Sequence, residues 1–379
     1  MRVIIIGGGI GGLTAAVALH KQHAEVLVYE AASEFKPLGA GIGLGANAMQ
    51  DLKDIGIGDD IFAQGTPIHT QIFKDATGKI LNTIDFAKFK AQYGHENITI
   101  HRAALHQTLF DALPRHTVRL GKRCLHVSEH HDGVVAVFND GTSVKGDLVI
   151  AADGIHSSLR KQFYPAADPR FAGYTCWRGL TTNDGLVEAG VSCELWARKG
   201  RFGYAPMQDG QVYWFACVNT KPDNAFYAEL TNEQLAYQFR NFPQEVGALI
   251  AKTEQAQTLH HDIYDIKPIN RFVFGRTVLL GDAAHATTPN MGQGAGQAIE
   301  DAITLAKNIA QYNRKEALHR YEKERVAHTK KVVRLSRQIG WAAQWSSPFA
   351  TTFRDKVFPH IPSGLLFKRL QFLFKNHNE

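Results

Sequence analysis

"MRVIIIGGGIGGLTAAVALHKQHAEVLVYEA", Met1 to Ala31, is the stretch that decides the fold. Val3 to Ile6 is a short β-branched run without alternation, as a strand buried on both faces requires. Gly7, Gly9 and Gly12 then fit G-x-G-x-x-G, and Leu13 to His20 opens a helix of small apolar residues. Val26 to Tyr29 reads as a second strand, closed by Glu30. Each part has a task. Gly7 permits the tight turn, Gly9 lets backbone approach a pyrophosphate, and Gly12 allows close helix–strand packing. The helix N-terminus offers unsatisfied N–H groups and a partial positive charge to phosphates. Glu30, eighteen residues after Gly12, accepts hydrogen bonds from adenosine ribose hydroxyls. It would repel a 2′-phosphate, which favours FAD or NAD over NADP. A glycine-rich packing turn is the plainer alternative for the glycines alone, and strand, turn, helix, strand and acid in register outweigh it.

A second glycine-rich turn stands far downstream in "LLGDAAHATTPNMGQGAGQAIEDA", Leu279 to Ala302. There an apolar run ends in Gly-Asp, and a loop rich in Gly, Ala, Thr and Pro enters a helix. Between the two turns, "PLGAGIGLGANAMQDLKDIG" gives a glycine-rich loop suited to lie against a flat ligand, then a helix from about Asn47. "ITIHRAALHQTLFDAL" is a strand entering an amphipathic helix, with Arg102 at the junction, placed to pair with a phosphate or to cap a neighbouring element. His131-Asp132-Gly133 and Asn139-Asp140-Gly141 are hairpin turns. "GDLVIAADGIHSSLRKQF" follows as an apolar strand, Asp153-Gly154, then Ser157 and Arg160 on a short helix. From about Phe171 to Ile269 the pattern is β-rich and aromatic, a separate sheet domain. A strand at Thr277–Leu280 returns to the first domain, and everything after Glu300 reads as helices.

With 379 residues the chain suits two domains, and 44% hydrophobic with 21% charged residues is a globular composition. Lys and Arg exceed Asp and Glu by 42 − 36 = 6, and much of the late basic run from Asn313 to Arg337 is interrupted by acids at helical spacing. That run reads as a solvated helix face rather than a nucleic-acid surface, since no stacking platform or binding motif accompanies it. A basic surface still attracts an anionic cofactor or substrate. Four scattered cysteines, and histidines without HExxH-like spacing, give no disulfide framework and no metal site. Met1 abuts the first strand, leaving no room for a signal peptide, and no apolar run reaches membrane-span length, so a cytoplasmic location is expected.

Taken together, these motifs resemble the single-component FAD-dependent aromatic hydroxylases of the p-hydroxybenzoate hydroxylase type, the group A flavoprotein monooxygenases. Three carry the resemblance in order: Gly7–Gly12 with Glu30, "DLVIAADGIHSSLR" (Asp147–Arg160), and "GRTVLLGDAAHATTPNMGQGAGQAIEDA" (Gly275–Ala302), with "YTCWRGL" (Tyr174–Leu180) beside them. Urate- and salicylate-hydroxylase-like and zeaxanthin-epoxidase-like members are the nearest in motif. The resemblance implies an α/β fold: a Rossmann-like FAD-binding domain (GR2-type) with an inserted β-sheet substrate domain and C-terminal helices. The FAD-binding domain would take residues 1–70, 98–170 and 271–310, the substrate domain 71–97 and 171–270, and the helical region 311–379.

The same resemblance implies roles for single residues. Glu30 would bind the adenosine ribose and Arg102 the pyrophosphate. Asp153 and Gly154 belong to a segment that meets both FAD and NAD(P)H. Asp282 would hold the ribityl chain or nearby hydroxyls, and Pro289 to Gly294 would run along the isoalloxazine, with the N–H groups of Met291 and Gly292 aimed at its pyrimidine edge. Arg201 and Tyr213 would bind and line the substrate; the alternative is that Arg201 closes a hairpin salt bridge and Tyr213 is core. His285 is expected to support the site from behind rather than act in catalysis. Many relatives carry Pro before the Asn-Ala that opens the first-domain helix, where this chain has Ala46. The implied reaction is NADH- or NADPH-dependent hydroxylation by O2 of a small aromatic or heteroaromatic substrate through a flavin hydroperoxide. Epoxidation of a lipophilic alkene, a flavin-dependent reductase or dehydrogenase, and a non-enzymatic flavin-bound interaction protein are the alternatives. The protein is expected to be a monomer or homodimer that binds no nucleic acid or metal. The amphipathic "SGLLFKRLQFLFKNHNE" would pack on the flavin domain or a partner, with peripheral membrane contact as the sharper alternative.

Overall fold

A computed structural model describes residues 1–36 and 40–374. Pro37 to Gly39 of the expected ligand-facing loop, and residues 375–379 of the C-terminal segment, lie outside the described residues. The sheet that organises the molecule places Arg2–Ile6 at its centre, parallel to Glu25–Tyr29 on one side and Leu148–Ala151 on the other. Thr277–Leu279 continues the parallel order beyond Leu148–Ala151, with Val273–Phe274 antiparallel at the edge. Val3, Ile4 and Ile5 are fully buried, which explains their unbroken β-branched run. Strands that are distant in sequence thus end side by side. The turns that follow them, at Gly7, Ala152 and Leu280, converge at one edge of the sheet, where open α/β sheets bind ligands.

The two expected hairpins join Cys124–His130, Gly133–Phe138 and Ser143–Gly146. A seven-stranded sheet runs in the order Leu259–Asp265, Arg170–Thr182, Gln211–Asn219, Gly200–Pro206, Val191–Ala197, Thr70–Asp75 and Ile80–Asp85. Alternation sends Trp177, Phe202 and Trp214 to one face, against Leu235, Phe239 and Leu249. Leu235 and Leu249 belong to the helices Asn232–Gln238 and Gln244–Lys252, with Phe239 capping the first, and these helices add to the expected β-rich pattern. Their reason is local: Thr231 and Gln234 form a reciprocal capping box, and Val246, Leu249 and Ile250 recur at helical spacing.

The 30-residue helix Arg314–Ala343 locks the end of the chain onto the first sheet. Tyr321 donates its hydroxyl to the Leu279 carbonyl at 2.9 Å, and buried Arg325 pairs with Asp301 at 2.6 Å. After the helices Pro348–Val357 and Ser363–Leu370, Leu373 and Phe374 are buried against Phe89, Ala46 and Val332. Much of the apolar character of the C-terminal segment is therefore spent on packing inward.

Candidate cofactor and substrate site

The first turn separates what the fold needs from what a ligand needs. Gly7 has φ +106°, donates its N–H to the Tyr29 carbonyl at 2.8 Å, and a Cβ there would lie 2.3 Å from the Ala152 carbonyl oxygen. A Cβ on Gly12 would lie 2.0 Å from the Gly7 carbonyl oxygen. Gly9 differs: it precedes the helix Ile10–His20 with an ordinary φ of −75°, and no protein atom lies within 4 Å of its missing Cβ. That helix has no side-chain cap and no acid in its first turn, so its open amides favour an anion. Glu30 accepts from the Gly8 N–H at 2.7 Å and the Ala32 N–H at 2.8 Å. It ties the turn to the strand, and each oxygen keeps a lone pair for a hydroxyl.

Around this turn stand charges without protein partners. Arg102 opens the helix Arg102–Asp111, whose N-cap is the His101 ring nitrogen accepting from Ala103. Among the described residues no hydrogen bond or ion pair engages its guanidinium, and the same is true of the Asp282 carboxylate. Burial and then Arg178 pull the Arg102 pKa down, and Asp282 opposes them. Asp282 is solvent-exposed, yet desolvation by the surrounding protein raises its pKa against the pull of His285, Arg102 and Arg160. Its backbone is fixed from below. Arg160 donates to the Ala283 carbonyl at 3.2 Å, and Gly281, at φ +61°, donates to Asp301 at 2.9 Å. His285 lies 2.6 Å from Asp301, whose carboxyl is held well below its usual range by His285 and Arg325 despite burial. His285 acts beneath the site.

Two expectations change here. Asp153 accepts from Ser157 Oγ at 2.5 Å and faces the Leu159 N–H, so its carboxylate is engaged at the start of the helix Ser158–Phe163, whose N-cap is Ser157. The segment instead presents the backbone of Gly154, at φ +79° with nothing within 4 Å of a Cβ. In the second turn, Pro289–Met291 is a 3₁₀ turn, and the Gly292 N–H is taken by the Pro289 carbonyl at 2.9 Å. Further amides open the helix Gly294–Gln311, which lacks a side-chain cap or a first-turn acid. A Cβ on Gly294 would meet only Thr287, at 3.9 Å. Ala46 has its own account: its N–H donates to Asn97 at 3.0 Å, a bond proline lacks. Together, open glycine backbone, two free helix ends, an unpaired Arg and an unpaired Asp fit an extended dinucleotide carrying phosphates and hydroxyls.

On the facing sheet, buried Arg201 does close a hairpin salt bridge, to Glu194 at 3.0 Å, and also donates to Asn290 of the second turn. Tyr174 donates to Asn290 at 3.1 Å, and Asn290 donates to Thr288 Oγ1 at 2.8 Å and the Ser336 carbonyl at 3.0 Å. Burial alone would lower the Arg201 pKa; Cys217 and Glu194 outweigh it and keep the guanidinium charged. Tyr213 packs so closely on Gly41 that a Cβ there would lie 2.5 Å from its ring. Burial raises its phenol pKa, so it stays a donor. Glu194 was not singled out in the sequence, and Asn290, Tyr174 and Arg178 were read only as parts of motifs, without roles of their own. Glu194 had a signal, since it lies diagonal to Arg201 across the short hairpin.

A family model described as an FAD binding domain matches residues 1–336. The chain is 35% identical over 364 residues, 96% of its length and 95% of the relative's, to aurachin C monooxygenase/isomerase of Stigmatella aurantiaca. It is 31% identical over 383 residues, covering 100% and 99%, to 2-heptyl-3-hydroxy-4(1H)-quinolone synthase of Pseudomonas aeruginosa. The crystal structure of Klebsiella pneumoniae HpxO with FAD and uric acid superposes with a TM-score of 0.93 at 31% identity, covering 99% of this chain and 97% of that one.

Proposed function

The chain belongs to the FAD-dependent aromatic hydroxylases, and from that premise we propose that it hydroxylates a neutral bicyclic heteroaromatic ring of the quinolone type, using NAD(P)H and O2. FAD, which Gly9, Arg102 and Asp282 would hold, would carry two electrons from NAD(P)H to O2, so that ring C–H becomes C–OH and the second oxygen leaves as water. The protein's own residues position the ring and keep water out. Tyr213 and Phe215 lie on the sheet face that carries Arg201, and Tyr213 offers a protonated phenol to a ring carbonyl.

The observation that carries the substrate class is the Arg201–Glu194 pair. A free arginine would recruit an anionic ring, but this one is already neutralised at 3.0 Å and tied to Asn290. An anion placed beside it would also face the Glu194 carboxylate. We therefore read Arg201 as the positioning residue that sets the second turn against the sheet. The protein acts in the cytoplasm as a monomer or homodimer, and no helix among its described residues is long and apolar enough to cross a membrane. The burial of Leu373 and Phe374 supports packing as the use of the C-terminal segment. A panel of neutral 4-quinolones, urate and salicylate tests the reading. Quinolones should stimulate NAD(P)H oxidation at least about tenfold, and stimulation by the two anions alone would overturn it.

A further inference from the structure

The helix Arg314–Ala343 carries a basic and aromatic face outside the site. Lys323, Lys330, Arg334, Gln338 and Trp341 recur at intervals of seven, four, four and three, which puts them on one side of the helix, and Trp345 follows just past its end. The first half of this face borders a groove of about 920 Å³ lined by Lys323, Lys330, Lys331, Arg334, Lys368 and Arg369. Its one lining acid, Glu322, is occupied by the N–H groups of Phe272 and Val273. Among the described residues Lys323, Arg334, Lys368 and Arg369 have no acidic partner.

The second half is aromatic and bare. Trp341 is 67% exposed, and the next helix, Pro348–Val357, exposes Phe349 at 83% and Phe353 at 54%. Side chains of this size so exposed on one surface mark an interaction site. Cations flank them too: exposed Lys356 lies on the same helix, and Arg198 of the hairpin tip donates to the Ser346 carbonyl. Beside the aromatics, a groove of about 490 Å³ is lined by Trp341 and Trp345 together with Tyr174 and Asn290, the partners of Arg201.

We propose that this face docks on an anionic phospholipid bilayer, with Trp341, Phe349 and Phe353 entering the headgroup region and the basic groove meeting lipid phosphates. Charge selects this occupant: an apolar patch edged by unpaired cations matches an anionic lipid surface. A second copy of the chain would bring the same cations against each other and cover the mouth of the groove. Resting on the function proposed above, the groove then admits a lipophilic heteroaromatic substrate from the bilayer toward the Arg201 network.

The test is co-sedimentation of the FAD-loaded protein with vesicles of phosphatidylglycerol and phosphatidylcholine, or of phosphatidylcholine alone. Binding should be at least about tenfold stronger to the anionic vesicles and fall by a similar factor in 0.5 M salt, roughly where screening reaches a few ångströms. Phe349→Ser with Phe353→Ser should reduce it about tenfold or more, with flavin content unchanged, and Lys368→Gln with Arg369→Gln should remove the preference for anionic lipid. No binding to either vesicle overturns the proposal, as does binding unaffected by the Phe substitutions. Sedimentation-velocity evidence of a dimer that those substitutions dissociate overturns it in favour of a self-interface. None of these readouts needs turnover, so vesicle binding without quinolone hydroxylation would refute the substrate reading alone.

Discussion

Gly9→Ala and Gly12→Ala should part company, and the difference follows from where each missing Cβ points. At Gly9 the backbone is extended, with φ −75° and ψ −177°, and no protein atom lies within 4 Å of the added carbon. Alanine there should leave flavin-free stability within about 1 kcal/mol, with a small gain expected from a less flexible unfolded chain. At Gly12 the added carbon would lie 2.0 Å from the Gly7 carbonyl oxygen, in a turn whose Gly7 is itself pressed on Ala152. The turn must move by more than an ångström, at a cost of about 2–4 kcal/mol. For FAD the order changes. A methyl at Gly9 occupies the space of the pyrophosphate and separates it from the helix amides, losing one or two charge-assisted hydrogen bonds of about 1.5–3 kcal/mol each. Affinity should fall at least tenfold and up to several hundredfold. Urea denaturation of flavin-free protein and FAD titration by fluorescence quenching measure both quantities. A Gly9→Ala protein that binds FAD like the native chain, or is destabilised as much as Gly12→Ala, would refute the placement of the cofactor.

Asp282→Ala removes a carboxylate with no protein partner among the described residues, so FAD affinity should drop about tenfold or more while flavin-free stability holds or rises. Equal losses in both would contradict this. Arg201→Ala strips the cation from half-buried Glu194 and should cost about 3–5 kcal/mol in urea unfolding; pairing it with Glu194→Leu should recover much of that. Strict additivity in the double-mutant cycle would show that the pair is not coupled. Burial and then Glu300 raise the Asp51 pKa to about 7. The folded state therefore holds this proton more tightly than the unfolded chain, and stability falls as pH rises from about 4 to 7. Asp51→Asn should stabilise the protein on the order of 2–4 kcal/mol at pH 8 and hardly at all at pH 4; an equal gain at both pH values would rule the linkage out.

Local chemistry made the first turn legible. Gly7, Gly9, Gly12 and Glu30 lie in one βαβ unit, where spacing alone implies geometry. The second turn was legible as a motif, but not the hydrogen bond that spends the Gly292 amide, because a 3₁₀ closure depends on backbone angles within the loop. Asp153 was read as part of a segment meeting FAD and NAD(P)H, whereas Ser157, four residues on, donates its hydroxyl to that carboxylate. The helices between Asn219 and Leu259 were hidden by aromatic residues that also suit strands. Glu194 and Asn290 were harder still. They meet at Arg201 from positions 7 and 89 residues away, and only the pairing of the hairpin with the distant loop brings them together.

Hydroxylation under labelled oxygen is the most direct test of the central claim. Purified yellow protein, NAD(P)H and a neutral 4-quinolone under ¹⁸O₂ should give a product bearing one ¹⁸O, formed in step with NAD(P)H and O2 consumption and absent without oxygen. A product whose new oxygen comes from water, or turnover that continues at the same rate without oxygen, would contradict the account.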